Sequence, residues 1–439
     1  MDLTKGKITP SIIRFTIPII ILQLLNQAYS LIDQVIVARF VSEQALSVLS
    51  TVNSALLIAY CLIQGLGASC SILIGNLFGS GNYQKLRHYL YSLLLLCVGF
   101  SSILWLIYTF CNQPIYAILK VPGEIRAEAG ELMIIYALSL PPTLLCSVCT
   151  SSLNGLGDSK TPMRISVFAQ CLNIILDILA MAVWNLGVKG AAYASLFSVI
   201  VAAILTWRHL RKTVVQLCDE TPHFTAKCIP WYLSVAIPSI LQQSIMSVGN
   251  LILQVLVNEQ GVSYINGYTV ANTIHSLFLL PIISCCAGYE TFAAQNYGAN
   301  KKDRVREGFK SLMFLGNGAW ILLAAATVGF SGPLVHLYLK DQTSISYGFA
   351  QSYLLWLIPN YALLLFKYSI DSLHKARLRI YLFTISSFIA LFVRILAGYL
   401  LTPSCGLIAL AYAAAIGNAA AVVFNMVSIR TVPSDTPYA

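Results

Sequence analysis

Ionisable side chains are rare in the apolar stretches of this chain, so each one is a candidate for chemistry. Asp33, Asp177, Glu290 and Arg394 interrupt runs built from Leu, Ile, Val and Phe, as do His275, Lys367 and Asp371. A charged residue at the centre of a bilayer costs about 2.5–3.5 kcal/mol on insertion scales, and such residues usually serve binding or ion movement. Asn173 and Asp177 are spaced i, i+4 and share one helix face. Asp33 follows Gln23, Asn26 and Gln27 on one polar stripe, and Thr150 and Ser195 offer hydroxyls. Carboxylate, amide and hydroxyl oxygens are hard ligands that suit a small hard cation such as Na⁺. Two carboxyls brought close could instead share a proton, because like charges in a low dielectric raise a pKa. The plainer alternative is that each Asp satisfies neighbouring helix donors or lines a wet cavity. For Thr150 and Ser195 it is a bond back to their own helix.

The second half offers a different set. Glu290 and Arg394 are expected to pair across two helices, and Lys367 and Asp371 have the i, i+4 spacing of a local ion pair. Pro18 lacks an amide proton and weakens its helix, as a hinge or as a fixed kink. No H-E-x-x-H or G-x-S-x-G motif occurs, and the loops at Gly79 and Gly298 lack the G-K-[ST] ending of a phosphate cradle. No cofactor is expected, and an ion gradient rather than ATP is the expected energy source. Cys146 and Cys149 form a C-x-x-C inside an apolar run, where small-residue packing explains them better than a metal.

The elements holding these residues follow from composition. Charged residues make up 10% of the chain and hydrophobic ones 57%, against about 25% charged in soluble domains. Apolar runs of membrane-crossing length recur near 11–37, 46–75, 88–111, 128–153, 162–184, 188–208, 230–257, 263–294, 308–330, 348–372, 378–400 and 405–428. In lipid the backbone must satisfy itself, so these runs must be helical. The fold class is all-α and transmembrane, with about twelve spans. The first run is too long and too polar for a cleavable signal. Alternate connections hold most of the cations, among them Arg211, Lys212, Lys301, Lys302, Arg304 and Arg306. The opposite side holds only Arg39, Lys120, Arg126, Lys189 and Lys340. This is a positive-inside pattern with both termini cytoplasmic. The net charge of +10 is therefore a topology signal, and no nucleic-acid partner is expected.

The chain also repeats itself. Gly79–His88 aligns with Gly298–Glu307, Ile17-Pro18 with Ile237-Pro238, Gly187–Ala194 with Gly406–Ala413, and Pro141 with Pro359. Two six-span lobes are expected, at 1–212 and 229–439, joined by a cytoplasmic linker at 213–228. An even number of spans per half predicts a pseudo-two-fold along the membrane normal and a midplane site reached by alternating access. Aligned without gaps, Leu253 stands for Asp33, and Phe392 and Leu396 stand for Asn173 and Asp177. Ion handling is thus expected in the first half.

Five motifs carry a family resemblance over nearly the whole chain. They are Pro18 with Tyr29–Asp33, Gly155–Pro162, Leu172–Asp177, Gly187–Ala192 and Gln295–Ala299. Together they resemble the multidrug and toxin extrusion (MATE) family, on its bacterial NorM- and DinF-like branch. The resemblance implies a twelve-helix V-shaped fold and export of organic cations or other amphipathic compounds, driven by re-entry of Na⁺ or H⁺. It implies a bacterial cytoplasmic membrane protein acting as a monomer. It also implies that Asp33, Asn173 and Asp177 form a cation site in the first lobe while Pro18 lets the first span bend. Asp371 stands where many relatives have Gln, and Gln242 and Gln243 replace the acid that some relatives carry in the seventh span. A lipid-linked glycan flippase of the same superfamily would want a strongly basic cavity, whereas Arg394 is the one cation placed at midspan. An integral membrane transferase would want clustered histidines, whereas His88, His209, His223, His336 and His374 lie in or near different connections.

Overall fold

The computed structural model describes residues 1–40, 43–119, 121–184 and 186–431. The side chains of residues 31, 33–46, 430 and 431 lie outside the described set, Asp33 and Arg39 among them, as does Lys120. Among the described residues the regular structure is helical throughout. In chain order the helices are α1 (Ile8–Phe40), α2 (Glu43–Gly79), α3 (Tyr83–Phe110), α4 (Asn112–Ile118), α5 (Gly123–Leu138), α6 (Leu140–Gly155) and α7 (Lys160–Ile178). After a π-helical turn at Leu179–Val183 come α8 (Gly187–Leu217), α9 (Cys228–Asn258), α10 (Val262–Gly298), α11 (Lys302–His336) and α12 (Ile345–Trp356). The chain continues with α13 (Ile358–Ala376), α14 (Ile380–Cys405) and α15 (Ala409–Thr431).

Ten segments of the described residues are long and apolar enough to cross a bilayer, and the bent pair α12–α13 makes an eleventh. The segment Ile380–Ile429 holds two helices that fold back on each other. Gly417 of α15 lies against Ala390 and Arg394 of α14, and Leu410 approaches Gly398, which requires antiparallel packing. Counting that segment as two crossings gives twelve. The outer faces match a lipid solvent: Phe110, Phe314, Leu322 and Val328 are exposed, a costly arrangement in water.

Prolines set the breaks. Pro141 lies in the first turn of α6 and Pro359 in the first turn of α13, where a missing N–H breaks no helical bond. At the second of these, α12 and α13 meet at 45°. Pro18 and Pro238, by contrast, lie inside helices that continue through them.

The residues divide into two compact units. The first comprises Met1–Thr4, Ile17–Ile240 and Gly298–Asn300; the second comprises Lys5–Thr16, Leu241–Tyr297 and Lys301–Ala439. Hence the first turns of α1 belong to the second unit, and the first half of α9 belongs to the first. In the first unit, α6 packs against α2, α3 and α8, with Ile74, Leu86, Leu90, Cys149, Leu153 and Leu210 forming a buried cluster. Tyr232 of α9 is buried there too, donating to the Leu66 carbonyl at 2.9 Å. In the second unit, α13 packs between α11 and α15.

The repeat extends to backbone geometry. Gly81 (φ 73°) and Asn300 (φ 56°) are left-handed at equivalent turns, as are Gly187 (φ 56°) and Gly406 (φ 61°). The turn before α7 uses Gly157 (φ 83°), and the turn before α14 uses Leu378 (φ 59°). Both turns close with the same bond, Asp158 N–H to Leu153 and Arg379 N–H to His374, each 2.9 Å. Asp158 also caps α7 by accepting from Thr161 N–H at 3.0 Å, and it meets His209 Nε2 at 3.1 Å. Burial pushes its carboxyl up, but the Thr161 bonds and His209 outweigh that and leave it below its ordinary value. The Gly155–Pro162 motif is therefore a built turn that anchors α7, the helix carrying Asn173 and Asp177.

Candidate functional site

Two polar sites lie within the helical units, one in each. In the first unit α7 carries Asn173, 2% exposed, and Asp177, 0% exposed, one turn apart. Tyr29 of α1 donates its hydroxyl to Asn173 Oδ1, and Asn173 Nδ2 donates to Ser195 Oγ of α8 at 3.4 Å. One turn earlier, Gln170 donates to Asn26 of α1. Oxygens from α1 and α8 thus converge on Asn173, one turn from the solvent-sealed Asp177. Burial of an ionised carboxylate is tolerated only with compensating partners or a cation, so the arrangement suits an exchangeable positive charge.

Thr150 is half-buried on α6. Pro18 is buried within α1, one residue past the point where the chain passes from the second unit to the first. The side chain of Asp33 lies outside the described set. Tyr29 and the pairing of Asn26 with Gln170 had no separate signal in the sequence, because amides and tyrosines are common in helices. Straight after Asp177 the chain enters the π turn, where Trp184 N–H reaches back to the Leu179 carbonyl at 3.0 Å and Leu186 N–H to the Ala180 carbonyl at 3.0 Å. Such turns accommodate extra residues and recur at functional sites.

In the second unit a cavity of about 270 Å³ lies among α9, α10, α12, α13, α14 and α15. Its wall includes Asn250, Asn272, His275, Asn360, Arg394 and Asn418. His275 Nδ1 lies 3.1 Å from Tyr361 Oη, with the rings stacked, and Asn418 donates to Asn360 at 2.8 Å. Lys367 lines the cavity and bonds Asp371 at 2.6 Å, the expected i, i+4 pair, while Asn425 donates to the other Asp371 oxygen at 2.9 Å. Lys367 and Asp371 are 4% and 2% exposed.

Two expectations need correction. Glu290 pairs with Lys375 at 3.2 Å, not with Arg394, whose Nη1 instead makes a 3.4 Å contact with Asn250. The reason is depth: Lys375 lies at the end of α13, level with Glu290, whereas Arg394 lies about 20 Å along α14 at 1.5 Å per residue. The gapless pairing of Asn173 with Phe392 and Asp177 with Leu396 also fails. Phe392 and Leu396 are exposed, whereas Asn173 and Asp177 are buried. The matching turns Gly157–Asp158 and Leu378–Arg379 set the register two residues further on, so Arg394 holds the place of Asn173 and Gly398, also buried, that of Asp177. By Gly187 and Gly406 the original offset has returned, so the first unit spends two more residues between these landmarks, in the stretch holding the π turn.

A search against family models matches MatE over residues 18–179 and 238–400, one match per half. Among curated proteins, the probable multidrug resistance protein YoeA of Bacillus subtilis is 25% identical over 78% of this chain and 77% of its own length. The FAD transporter of Shewanella oneidensis is 24% identical over 71% of this chain and 70% of its own length. Among solved structures, a MATE protein crystallised in complex with MaL6 superposes with a TM-score of 0.91 at 20% identity, covering 98% of this chain and 97% of that one. With both halves matched, the twelve crossings in place and a membrane-buried polar site in each unit, the chain belongs to the MatE family of multi-span membrane transporters.

Proposed function

We propose that this protein is a secondary-active multidrug efflux antiporter, exporting organic cations and other amphipathic compounds in exchange for Na⁺ or H⁺. The observation that carries the reading is the solvent-sealed Asp177, one turn from Asn173 and its partners Tyr29 and Ser195. A carboxylate buried this deeply in a membrane protein is suited to balance by a bound cation or proton. An antiporter needs a group that the ion and the passenger bias in opposite directions, because a ligand shifts an equilibrium only through its differential affinity for the two states. Asp33, one or more turns beyond Tyr29 on α1, is assigned to the same site, with Thr150 as an accessory oxygen. Pro18 is the point at which α1 bends as the site fills and empties.

The name of the Bacillus relative supports a drug-like passenger. The distribution of Lys and Arg supports a cytoplasmic-membrane location with both termini cytoplasmic. The protein is proposed to act as a monomer. A coupling charge that crosses 100 mV supplies about 2.3 kcal/mol, enough to concentrate a passenger about fiftyfold.

The test is dye efflux. Cells and proteoliposomes carrying the wild type are expected to expel ethidium under an imposed Na⁺ or proton gradient, and Asp177→Asn is expected to abolish efflux at unchanged expression. Full efflux by Asp177→Asn would reject the assignment of the coupling site. Efflux that ignores both gradients would reject antiport.

A further inference from the structure

We infer that the cavity of the second unit is a charge-reversed twin of the first unit's site, built to receive the anionic group (carboxylate, sulfonate or phosphate) of an amphipathic guest on Arg394. The inference deepens the transporter reading and rests on it for the word passenger, but the binding site itself does not. Three observations carry it.

The first is position. In the repeat register fixed by the turns before α7 and α14, Arg394 occupies the place of Asn173, and Gly398 that of Asp177. Ser195 corresponds to Ala414 by the Gly187–Gly406 alignment, and Ala414 lines the cavity. The same structural slot therefore holds a carboxylate in one unit and a guanidinium without one in the other.

The second is charge balance. No Asp or Glu is among the lining residues, so the fixed charges facing the cavity are cationic. Lys367 is neutralised by Asp371, which Asn425 also engages. Arg394 makes no ion pair among the described residues, and its net charge is left over.

The third is unmet hydrogen bonding. Arg394 Nε is buried with no partner, and Nη1 has only the 3.4 Å contact with Asn250. A guanidinium offers a planar fork matched to two oxygens of one anion, and an unpaired buried donor costs free energy until such a partner arrives. Around it Asn272 and Asn418 supply neutral amides, and Tyr268 and Tyr353 supply aromatic surface for the guest's apolar body. An organic cation would meet repulsion here.

Fluorescein, an aromatic carboxylate, is the probe for the purified full-length protein in uncharged detergent, with binding read by fluorescence polarisation. Arg394→Gln is expected to weaken binding about tenfold, the loss of one charge-assisted contact. Arg394→Lys, which keeps the charge but loses the fork, is expected to weaken it less. Lys340→Gln, which removes an exposed cation outside the cavity, should leave the dissociation constant unchanged. Unchanged binding in Arg394→Gln overturns the proposal, and so does equal loss in the Gln and Lys variants. A second arm repeats the titration in nanodiscs of phosphatidylcholine with or without phosphatidylglycerol. If phosphatidylglycerol displaces fluorescein from the wild type, the anion in the membrane is a lipid headgroup; if it does not, it is a free solute. Either outcome keeps an anion site at Arg394. Wild-type ethidium efflux is measured in parallel, so that absent efflux with intact fluorescein binding sinks the antiporter reading and leaves this site standing.

Discussion

Lys367 and Asp371 show how a residue pair constrains the second unit. Their 2.6 Å bond lies in the interior, on the wall of the cavity, with both side chains almost wholly buried. Removing one partner strands a charge, and breaking such a buried pair costs about 3–5 kcal/mol. Lys367→Met is therefore expected to lower the thermal unfolding temperature sharply in detergent. The double variant Lys367→Met/Asp371→Leu should regain most of that loss, since an apolar pair of similar volume is often neutral. The spacing made this pair legible in the sequence, because i, i+4 contacts are local. The partner of Glu290 was not legible. Lys375 and Arg394 both lie on later helices, and only depth in the bundle separates them. Asn173 and Asp177 were legible as a face; Tyr29 and Ser195, which converge on Asn173 from two other helices, became specific only through packing.

At the scale of elements, apolar runs gave most spans to within a few residues, though α8 runs nine residues past its run and α11 six past each end. The breaks beside Pro141 and Pro359 were not read from the sequence. What failed was register. A strip of Phe and Leu in α14 satisfies a gapless match with α7 as readily as the true one, because hydropathy does not distinguish a lipid-facing Phe392 from a buried Leu391. The turns resolve it through positive backbone angles, and these are testable. Gly406 has φ 61° and open space where a Cβ would sit. With ψ −161° it lies in a region essentially reserved for glycine, so Gly406→Ala should cost about 1–3 kcal/mol of backbone strain alone. Gly417→Ala should cost more, because its Cβ would run into the Ala390 carbonyl. Thermal unfolding of the two variants side by side measures the difference, and equal stability would contradict the antiparallel packing of α14 and α15.

At the scale of the molecule, the duplication visible in the sequence is real at the level of turns, helix breaks and site positions, yet the two units are not consecutive pieces of chain. Residues Lys5–Thr16 belong to the second unit and Cys228–Ile240 to the first. Tyr232, donating to the Leu66 carbonyl, lies in the core that the first half of the sequence would otherwise leave incomplete. Fragments 1–222 and 223–439 expressed separately are each expected to be unstable and readily proteolysed. Coexpressed, they should associate and be recovered together from detergent. A stable, monodisperse 1–222 fragment alone would refute this.

That exchange of helical segments also orders biosynthesis. A ribosome that has delivered α1 to α8 has not finished the first unit, which waits for the opening turns of α9, and the stretch Lys5–Thr16 must wait far longer for the helices it joins. During that interval the nascent protein exposes unsatisfied apolar faces to the insertion machinery. Lys5–Thr16 therefore emerges long before the α10 and α11 residues it meets, Gly288 against Thr16 and Ser311 against Thr9.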